Sequence, residues 1–125
     1  MNENELSYEI IGVALKLHSE LGPGLLESVY EAAFAHDLQA AGLDIRKQLP
    51  VSFLYKGIRM DSAYRIDLLV NDKVIVEMKA VEILAPVHYA QTLTYLKLAS
   101  KKLGLLINFN SMPLKNGIHR IVNNL

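Results

Sequence analysis

The chain has 125 residues, of which 51% are hydrophobic and 21% are charged. This composition is ordinary for a folded protein with a buried core, and the length predicts a single domain over residues 1–125. The 13 lysine and arginine residues balance the 13 aspartate and glutamate residues, which argues against binding of nucleic acid by bulk charge but leaves room for a local basic patch.

Membrane insertion and disulfide chemistry are also disfavoured. No apolar run approaches the roughly 20 residues of a membrane span, and the N-terminal stretch MNENELSYEI is too acidic and polar for a signal peptide. The chain contains no cysteine, which rules out disulfides and thiolate metal sites. We therefore expect a cytoplasmic protein that does not contact a membrane.

The first 42 residues predict two helices. Residues Leu6–Leu21 have apolar side chains at helical spacing, with an expected core stripe of Leu6, Ile10, Val13, Leu17 and Leu21, widened by Ile11 and Leu15. The sequence Gly22-Pro23-Gly24 breaks this helix. Because proline is tolerated in a first helical turn, the second helix is predicted to begin there and to run to Ala41. Its expected core stripe is Leu26, Tyr30, Ala33, Phe34 and Leu38.

The pattern then changes to strands. The segment QLPVSFLY, from Gln48, predicts a first strand, and its proline favours an edge position. A turn at Lys56-Gly57 leads to a long second strand, Ile58–Val70, with a bend expected near Asp61-Ser62. A third strand, Lys73–Val81, follows a turn at Asn71-Asp72.

The last third of the chain predicts one helix and two more strands. Pro86 opens a helix with a basic last turn, and Leu103–Phe109 is an apolar run typical of a central strand. Ile118–Val122 is predicted to be a short strand or turn. The expected fold class is α/β, with a three-stranded meander and at least one further strand in a mixed sheet flanked by helices.

Three charged residues interrupt the apolar second and third strands: Asp67, Glu77 and Lys79. A buried charge is costly unless it is paired, hydrogen-bonded or bound to a metal. Hard divalent cations prefer carboxylate oxygens, and a neighbouring lysine can orient water or neutralise a phosphate. The equally weighted alternative is that Glu77 and Lys79 form salt bridges on a solvent-facing side of the sheet.

The metal hypothesis depends on strand register. A strict two-residue turn at Asn71-Asp72 would place Asp67 opposite Val76 and send the two carboxylates to opposite faces. A three-residue loop or a bulge shifts the register by one and brings the carboxylates together. We predict such an irregularity.

Two helices carry further candidates. Gln91 and Tyr95 lie four residues apart in the third helix, with His88 one turn earlier, so all three share a face that can lean over the strand ends. The simpler explanation is that Tyr95 is core and Gln91 is solvated. Glu27 can point inward from the second helix as a metal ligand, or it can merely favour the positive end of the helix dipole. Taken alone, each simpler explanation is preferred.

The ordered set of motifs resembles the small prokaryotic GxxExxY family, which is grouped with the PD-(D/E)xK nucleases. The segments are LGPGLLESVYEAAF, YRIDLLV, VIVEMKAVE, HYAQTLTYLK and LGLLINFN. On this resemblance Asp67, Glu77 and Lys79 match the core motif, although Ile66 replaces the proline of the motif's name. Gln91 and Tyr95 match the QxxxY motif of RecB-type nuclease domains, and Glu27 falls where the superfamily often has an acidic residue.

The resemblance implies a restriction-endonuclease-like core and hydrolysis of phosphodiester bonds in nucleic acid, DNA in preference to RNA. Glu27, Asp67, Glu77 and the Met78 carbonyl would hold Mg²⁺ or alternatively Mn²⁺. Lys79 would orient the attacking water or stabilise the phosphorane, and Gln91 and Tyr95 would position the lysine, the water or the phosphate. The alternative is a catalytically silent module of the same fold that binds nucleic acid or protein.

A fold of this size leaves little room for recognition insertions, so a homodimer or a partner protein is the expected assembly. Other residues are assigned simpler roles. His18 and His36 are expected to cap or pack, and His119 is expected at the surface. The candidates for DNA contact are Arg46, Lys47, Lys97, Lys101 and Lys102.

Overall fold

The structure is a computed structural model that describes residues 1–125, except for the side chains of Ser62 and Ala63. In chain order, its elements are α1 (Glu3–Leu21), α2 (Glu27–Ala40), β1 (Ile45–Tyr55), β2 (Ile58–Val70), β3 (Val74–Lys79), α3 (Pro86–Ala99), β4 (Leu103–Asn108), a 3₁₀ turn (Leu114–Gly117) and β5 (Ile118–Val122). The order of helices and strands is the one that the sequence predicts.

The five strands form one mixed sheet in the order β1-β2-β3-β4-β5. The strands β3 and β4 are parallel, and α3 supplies the crossover connection that a parallel pair needs. The other neighbours are antiparallel. Strand β1 lies at the edge, where Pro50 does not break the ladder, and every residue of the inner strand β4 is buried. The predicted α/β fold with a three-stranded meander is confirmed.

Apolar clusters cover both faces of the sheet. On one face, α1 and α2 contribute large side chains, including Leu6, Ile10, Tyr30 and Phe34, which pack on the sheet with Phe109. On the other face, α3 contributes Tyr95 and Leu96, which pack against side chains of β1, β2 and β3. The sheet is therefore the middle of three layers, and Glu77 on its inner strand β3 is buried between them.

The predicted end of the second helix, near Ala41, is confirmed, but its predicted start is wrong. The helix α2 begins at Glu27, because Gly22 (φ 69°) and Gly24 (φ 96°) adopt left-handed backbone conformations that an α-helix excludes. Leu26 precedes the helix and is 73% exposed, so its predicted place in the core is also wrong. Tyr30, which follows one turn later, is fully buried as predicted.

The predicted core stripe of α1 is correct over its first part and shifts later. Leu6, Ile10 and Leu17 are buried as predicted, whereas Leu15 and Leu21 are more than 40% exposed. Ala14 and His18 complete the buried stripe, because the helix period of 3.6 residues carries the stripe through positions 10, 14, 17 and 18. A capping box between Asn2 and Glu5 extends the helix to Glu3.

The long β1–β2 hairpin has one irregularity. The Lys56-Gly57 turn is confirmed, with φ values of 49° and 78° that suit a two-residue hairpin turn. The register shifts between Val51 and Phe53 on β1. The bend predicted near Asp61-Ser62 involves Ser62, whose side chain lies outside those that the structure describes.

Within the described chain, no helix has the length and apolar character that crossing a membrane requires.

Candidate metal and catalytic site

Asp67 and Glu77 come together because three residues, not two, connect β2 to β3. Val70 pairs with Val74, which leaves Asn71, Asp72 and Lys73 in the loop. Asn71 (φ 51°) and Asp72 (φ 56°) are left-handed, a conformation that these two residue types tolerate. The pairing Leu68–Val76 then places the next residues, Asp67 and Glu77, opposite each other on one face. The predicted irregularity is confirmed.

The position of this loop is fixed by contacts with the residue before β1. The Asn71 backbone N–H donates to the Asp44 carbonyl (2.8 Å), and the Asp44 N–H donates to Asn71 Oδ1 (2.8 Å). The Lys73 N–H donates to the Val70 carbonyl at 3.0 Å. These bonds hold the three-residue connection and therefore hold the register that pairs the two carboxylates.

The carboxylates lie where the two strands separate. The regular pairing of β2 with β3 covers only Leu68–Val70. At the next position, the Asp67 N–H donates to Glu77 Oε2 (2.7 Å), and the Met78 N–H donates to Asp67 Oδ2 (2.9 Å). Side-chain oxygens thus satisfy backbone groups that a continued ladder would have paired. Each carboxylate has a second oxygen that accepts no hydrogen bond among the described side and main chains.

Burial raises the pKa of both carboxyls, and that of Glu77 most. Glu77 is 3% exposed, and burial followed by the charge of Asp67 raises its pKa to about 9. Burial raises the pKa of Asp67 to about 6, against the opposing effect of the Met78 N–H bond. The positive charge of Lys79 lowers both pKa values, so its ammonium acts on both carboxyls. Such a pair gains from a bound cation, because a cation stabilises the ionised form.

The second helix adds negative charge. The carboxylates of Glu31 and Glu27 both raise the pKa of Asp67, and Glu27 also raises that of Glu77. Glu27 is exposed in the first turn of α2, whereas Glu31 is half-buried and accepts a hydrogen bond from the Gln48 amide. Glu31 and Gln48 were not predicted as site residues. The four-residue spacing from Glu27 places Glu31 on the same side of α2 and is the one sequence signal that points to it.

The third helix contributes Tyr95 but not His88. Tyr95 is 4% exposed and packs edge-on against Tyr64, with ring centroids 5.7 Å apart, so it belongs to the core. Burial and then the charges of Glu77 and Asp67 raise its pKa to about 12, so its phenol stays protonated beside the carboxyls. His88 instead accepts a hydrogen bond from the Ala85 N–H at the start of α3 (3.0 Å).

Gln91 lies one turn before Tyr95, where it is half-buried and lines a surface pocket. Tyr64 and Thr94 also line this pocket. The amide is therefore accessible to a ligand, on the helix that packs against the strands of the site. Its proposed action on a phosphate, a water or Lys79 remains a prediction.

The remaining histidines have structural surroundings. His18 is buried, and its Nε2 donates to the Phe109 carbonyl at 2.9 Å. His36 is exposed next to Asp37, and His119 is half-buried against the Tyr89 ring at 5.2 Å, rather than fully at the surface. None of these three side chains contacts Asp67 or Glu77 among the described hydrogen bonds.

The residues present fit a hard divalent cation. The free oxygens of Asp67 and Glu77 and the Met78 carbonyl are the donor types that Mg²⁺ and Mn²⁺ prefer. Among the described residues, no three histidine, cysteine, aspartate or glutamate side chains are close enough together to hold a metal ion. The two carboxylates therefore need a further ligand. The exposed side chain of Glu27, whose charge acts on both carboxyls, is the candidate for completing the set.

Fold and site together define a nuclease-like α/β protein, with paired carboxylates and a lysine on the inner strands of a mixed sheet. Residues 4–121 match the PD-(D/E)XK nuclease superfamily, and the chain belongs to that superfamily. Nucleases of this superfamily generally use divalent metals. Comparisons with curated proteins and with solved structures find no match.

Proposed function

We propose that the protein is a divalent-metal-dependent nuclease that hydrolyses phosphodiester bonds, in DNA in preference to RNA. The observation that carries this proposal is the meeting of Asp67 and Glu77 across the gap between β2 and β3, with Lys79 two residues further along the same strand face. Two acidic side chains and a lysine are costly to enclose in a small core without a task for their charge.

The proposed metal ligands are Asp67, Glu77, the Met78 carbonyl and Glu27. The bound Mg²⁺ or Mn²⁺ would lower the pKa of a water molecule and polarise the phosphate. The clustered carboxyls favour this ion because burial and repulsion make their own ionisation costly. Glu31, held by Gln48, adds negative charge and also favours a cation.

The remaining candidates act on the water and the phosphate. Lys79 is half-buried and shares the strand face of Glu77, so its ammonium would orient the attacking water or stabilise the phosphorane. The protonated phenol of Tyr95 and the accessible amide of Gln91 are hydrogen-bond donors that would position the lysine, the water or the phosphate.

One observation favours the alternative, a catalytically silent module of the same fold. Both carboxylates already accept backbone hydrogen bonds at the strand separation, so they have a structural task without any metal. This task requires only an acceptor oxygen, which an amide also supplies. Asp67→Asn and Glu77→Gln therefore separate the two functions, because each keeps an acceptor and removes the negative charge.

The test is cleavage of labelled duplex DNA, single-stranded DNA and RNA with Mg²⁺ or Mn²⁺. We expect Asp67→Asn, Glu77→Gln and Lys79→Ala each to lower the rate by about 100-fold or more. Glu9→Gln removes an exposed carboxylate on α1 and serves as the matched control with wild-type activity. Absence of cleavage of every substrate with both metals would favour the silent module.

We further propose that residues 1–125 form one domain of the GxxExxY type that acts in the cytoplasm. The QxxxY assignment of Gln91 and Tyr95 is part of this proposal. The small size of the fold supports a homodimer or a partner protein, because little of the chain lies outside the core elements. Sedimentation of the purified protein tests self-association directly.

A further inference from the structure

The distal part of the β1–β2 hairpin, residues 49–66, extends beyond the rest of the sheet, and we call it the β1–β2 arm. Its two strands pair with each other from Leu49–Ile66 out to Tyr55–Ile58. Strand β2 pairs with β3 only over Leu68–Val70, so the arm begins where Asp67 lies. The arm is therefore attached directly to the candidate site.

Positive charge is concentrated on and beside this arm. Residues 46–65 contain five basic residues and one acidic residue, Asp61, which gives a net charge of +4. The whole chain has a net charge of zero, so the other residues together carry −4. The local basic patch that the overall composition leaves open is thus present in one segment. Its basic residues are Arg46, Lys47, Lys56, Arg59 and Arg65.

Strand pairing places two of the arginines, Arg65 and Arg59, on one face of the arm. Arg65 lies two residues before Asp67 in β2. Arg65 pairs with Pro50, and Arg59 pairs with Leu54, which is four residues further along β1 and therefore on the same face. The Ser52 hydroxyl lies between them, where it contacts both Arg59 and Asp61. The register shift in the hairpin thus does not move Arg59 to the other face.

This basic face is the free face of the arm. The opposite face carries Leu49, Val51, Tyr64 and Ile66, which pack with the apolar cluster under α3. Arg65 is exposed and makes no ion pair among the described side chains. The Arg59 side chain is 67% exposed and pairs with Asp61. Arg65 thus carries a positive charge that no described carboxylate pairs with.

We propose that the face of the arm bearing Arg65 and Arg59 binds the phosphodiester backbone of the nucleic acid and leads it to Asp67. This proposal rests on the proposed nuclease function. Two residues of strand span about 7 Å, so Arg65 would bind a phosphate next to the one at the carboxylates. Arg59 and Lys56 continue the positive charge toward the tip. A two-stranded ribbon also fits the major groove of B-DNA, so duplex DNA is the first probe.

Binding is measured by fluorescence anisotropy of labelled duplex DNA, single-stranded DNA and duplex RNA in EDTA, where cleavage does not interfere. For duplex DNA, we expect Arg65→Ala to weaken binding by about 5- to 20-fold. The slope of the logarithm of the binding constant against the logarithm of the salt concentration should fall in magnitude by about one. Arg65→Lys keeps the charge and should retain most of the affinity. Arg59→Ala should have a smaller effect, because Asp61 already neutralises part of its charge.

The matched control is Arg120→Ala on β5, the opposite edge strand, which should bind within 2-fold of wild type. Urea unfolding verifies that each variant is folded. Equal binding by wild type, Arg65→Ala and Arg65→Glu would overturn the proposal, even if Glu77→Gln abolished cleavage. Loss of binding in the arm variants without cleavage by the wild type would instead support the arm and contradict the nuclease function. Absence of binding to all three probes would also overturn the proposal.

Discussion

Glu77→Gln should make the metal-free protein more stable at alkaline pH. Burial and the Asp67 charge raise the Glu77 pKa to about 9, from its ordinary value of 4.5. The native state therefore retains a proton that the unfolded chain releases between these values. Because the native state binds more protons, the free energy of unfolding falls as pH rises through this window. Glutamine keeps an acceptor oxygen for the Asp67 N–H but does not titrate.

The size of this effect follows from one extra proton in the native state. Each pH unit then changes the free energy of unfolding by about 1.4 kcal/mol. Between pH 6.5 and pH 8.5 the wild type should lose about 2–3 kcal/mol relative to Glu77→Gln. Asp67, with a pKa of about 6, is largely ionised in this window and adds little to the slope.

The measurement is urea unfolding in EDTA at pH 6.5, 7.5 and 8.5, which gives the free energy of unfolding by linear extrapolation. Glu9→Gln is the matched control, since it removes an exposed carboxylate and should keep the wild-type slope. Subtraction of the wild-type and variant curves cancels the titration of the histidines. Parallel curves for wild type and Glu77→Gln would show that Glu77 is not protonated in the native state and that its pKa is not raised.

Three further results are expected. The affinity for Mg²⁺ should rise between pH 6 and pH 8.5, because the carboxyl ligands must lose protons to bind the ion. Titration calorimetry at both pH values tests this, and a constant affinity would contradict it. Tyr30→Phe should cost about 1–2 kcal/mol in urea unfolding, since its hydroxyl donates to the Gly22 carbonyl and accepts from the Leu25 N–H. Gly117→Ala should cost at least about 2 kcal/mol in the same assay, because the new Cβ would lie 2.7 Å from the Asn108 carbonyl oxygen. A wild-type midpoint in either variant would contradict that contact.

The central pair of the site could be predicted because it depends on local features. The two-residue alternation of strands and the length of one turn decide whether Asp67 and Glu77 share a face. Left-handed Asn71 and Asp72 permit the three-residue loop, and both residue types are visible in the sequence. Buried charges in an apolar strand pair supplied the chemical reason for expecting them to meet.

The rest of the site depends on packing between distant segments. Glu31 approaches Asp67 because α2 lies over the sheet, and Gln48 reaches Glu31 from a strand 17 residues later in the chain. Gln48 has a φ of 50°, which is uncommon for glutamine and which no local sequence pattern predicts. The tolerance of proline in a first helical turn predicts a start of α2 that is too early, because the left-handed backbone of Gly22 and Gly24 excludes a helix there.

The central claim is a divalent-metal site at Asp67 and Glu77, and calorimetric titration of Mg²⁺ and Mn²⁺ at pH 8 tests it most directly. We expect saturable binding by the wild type and by Glu9→Gln, and loss of that binding in both Asp67→Asn and Glu77→Gln. Absence of binding at millimolar metal, or equal binding by wild type and both site variants, would show that Asp67 and Glu77 do not form a metal site.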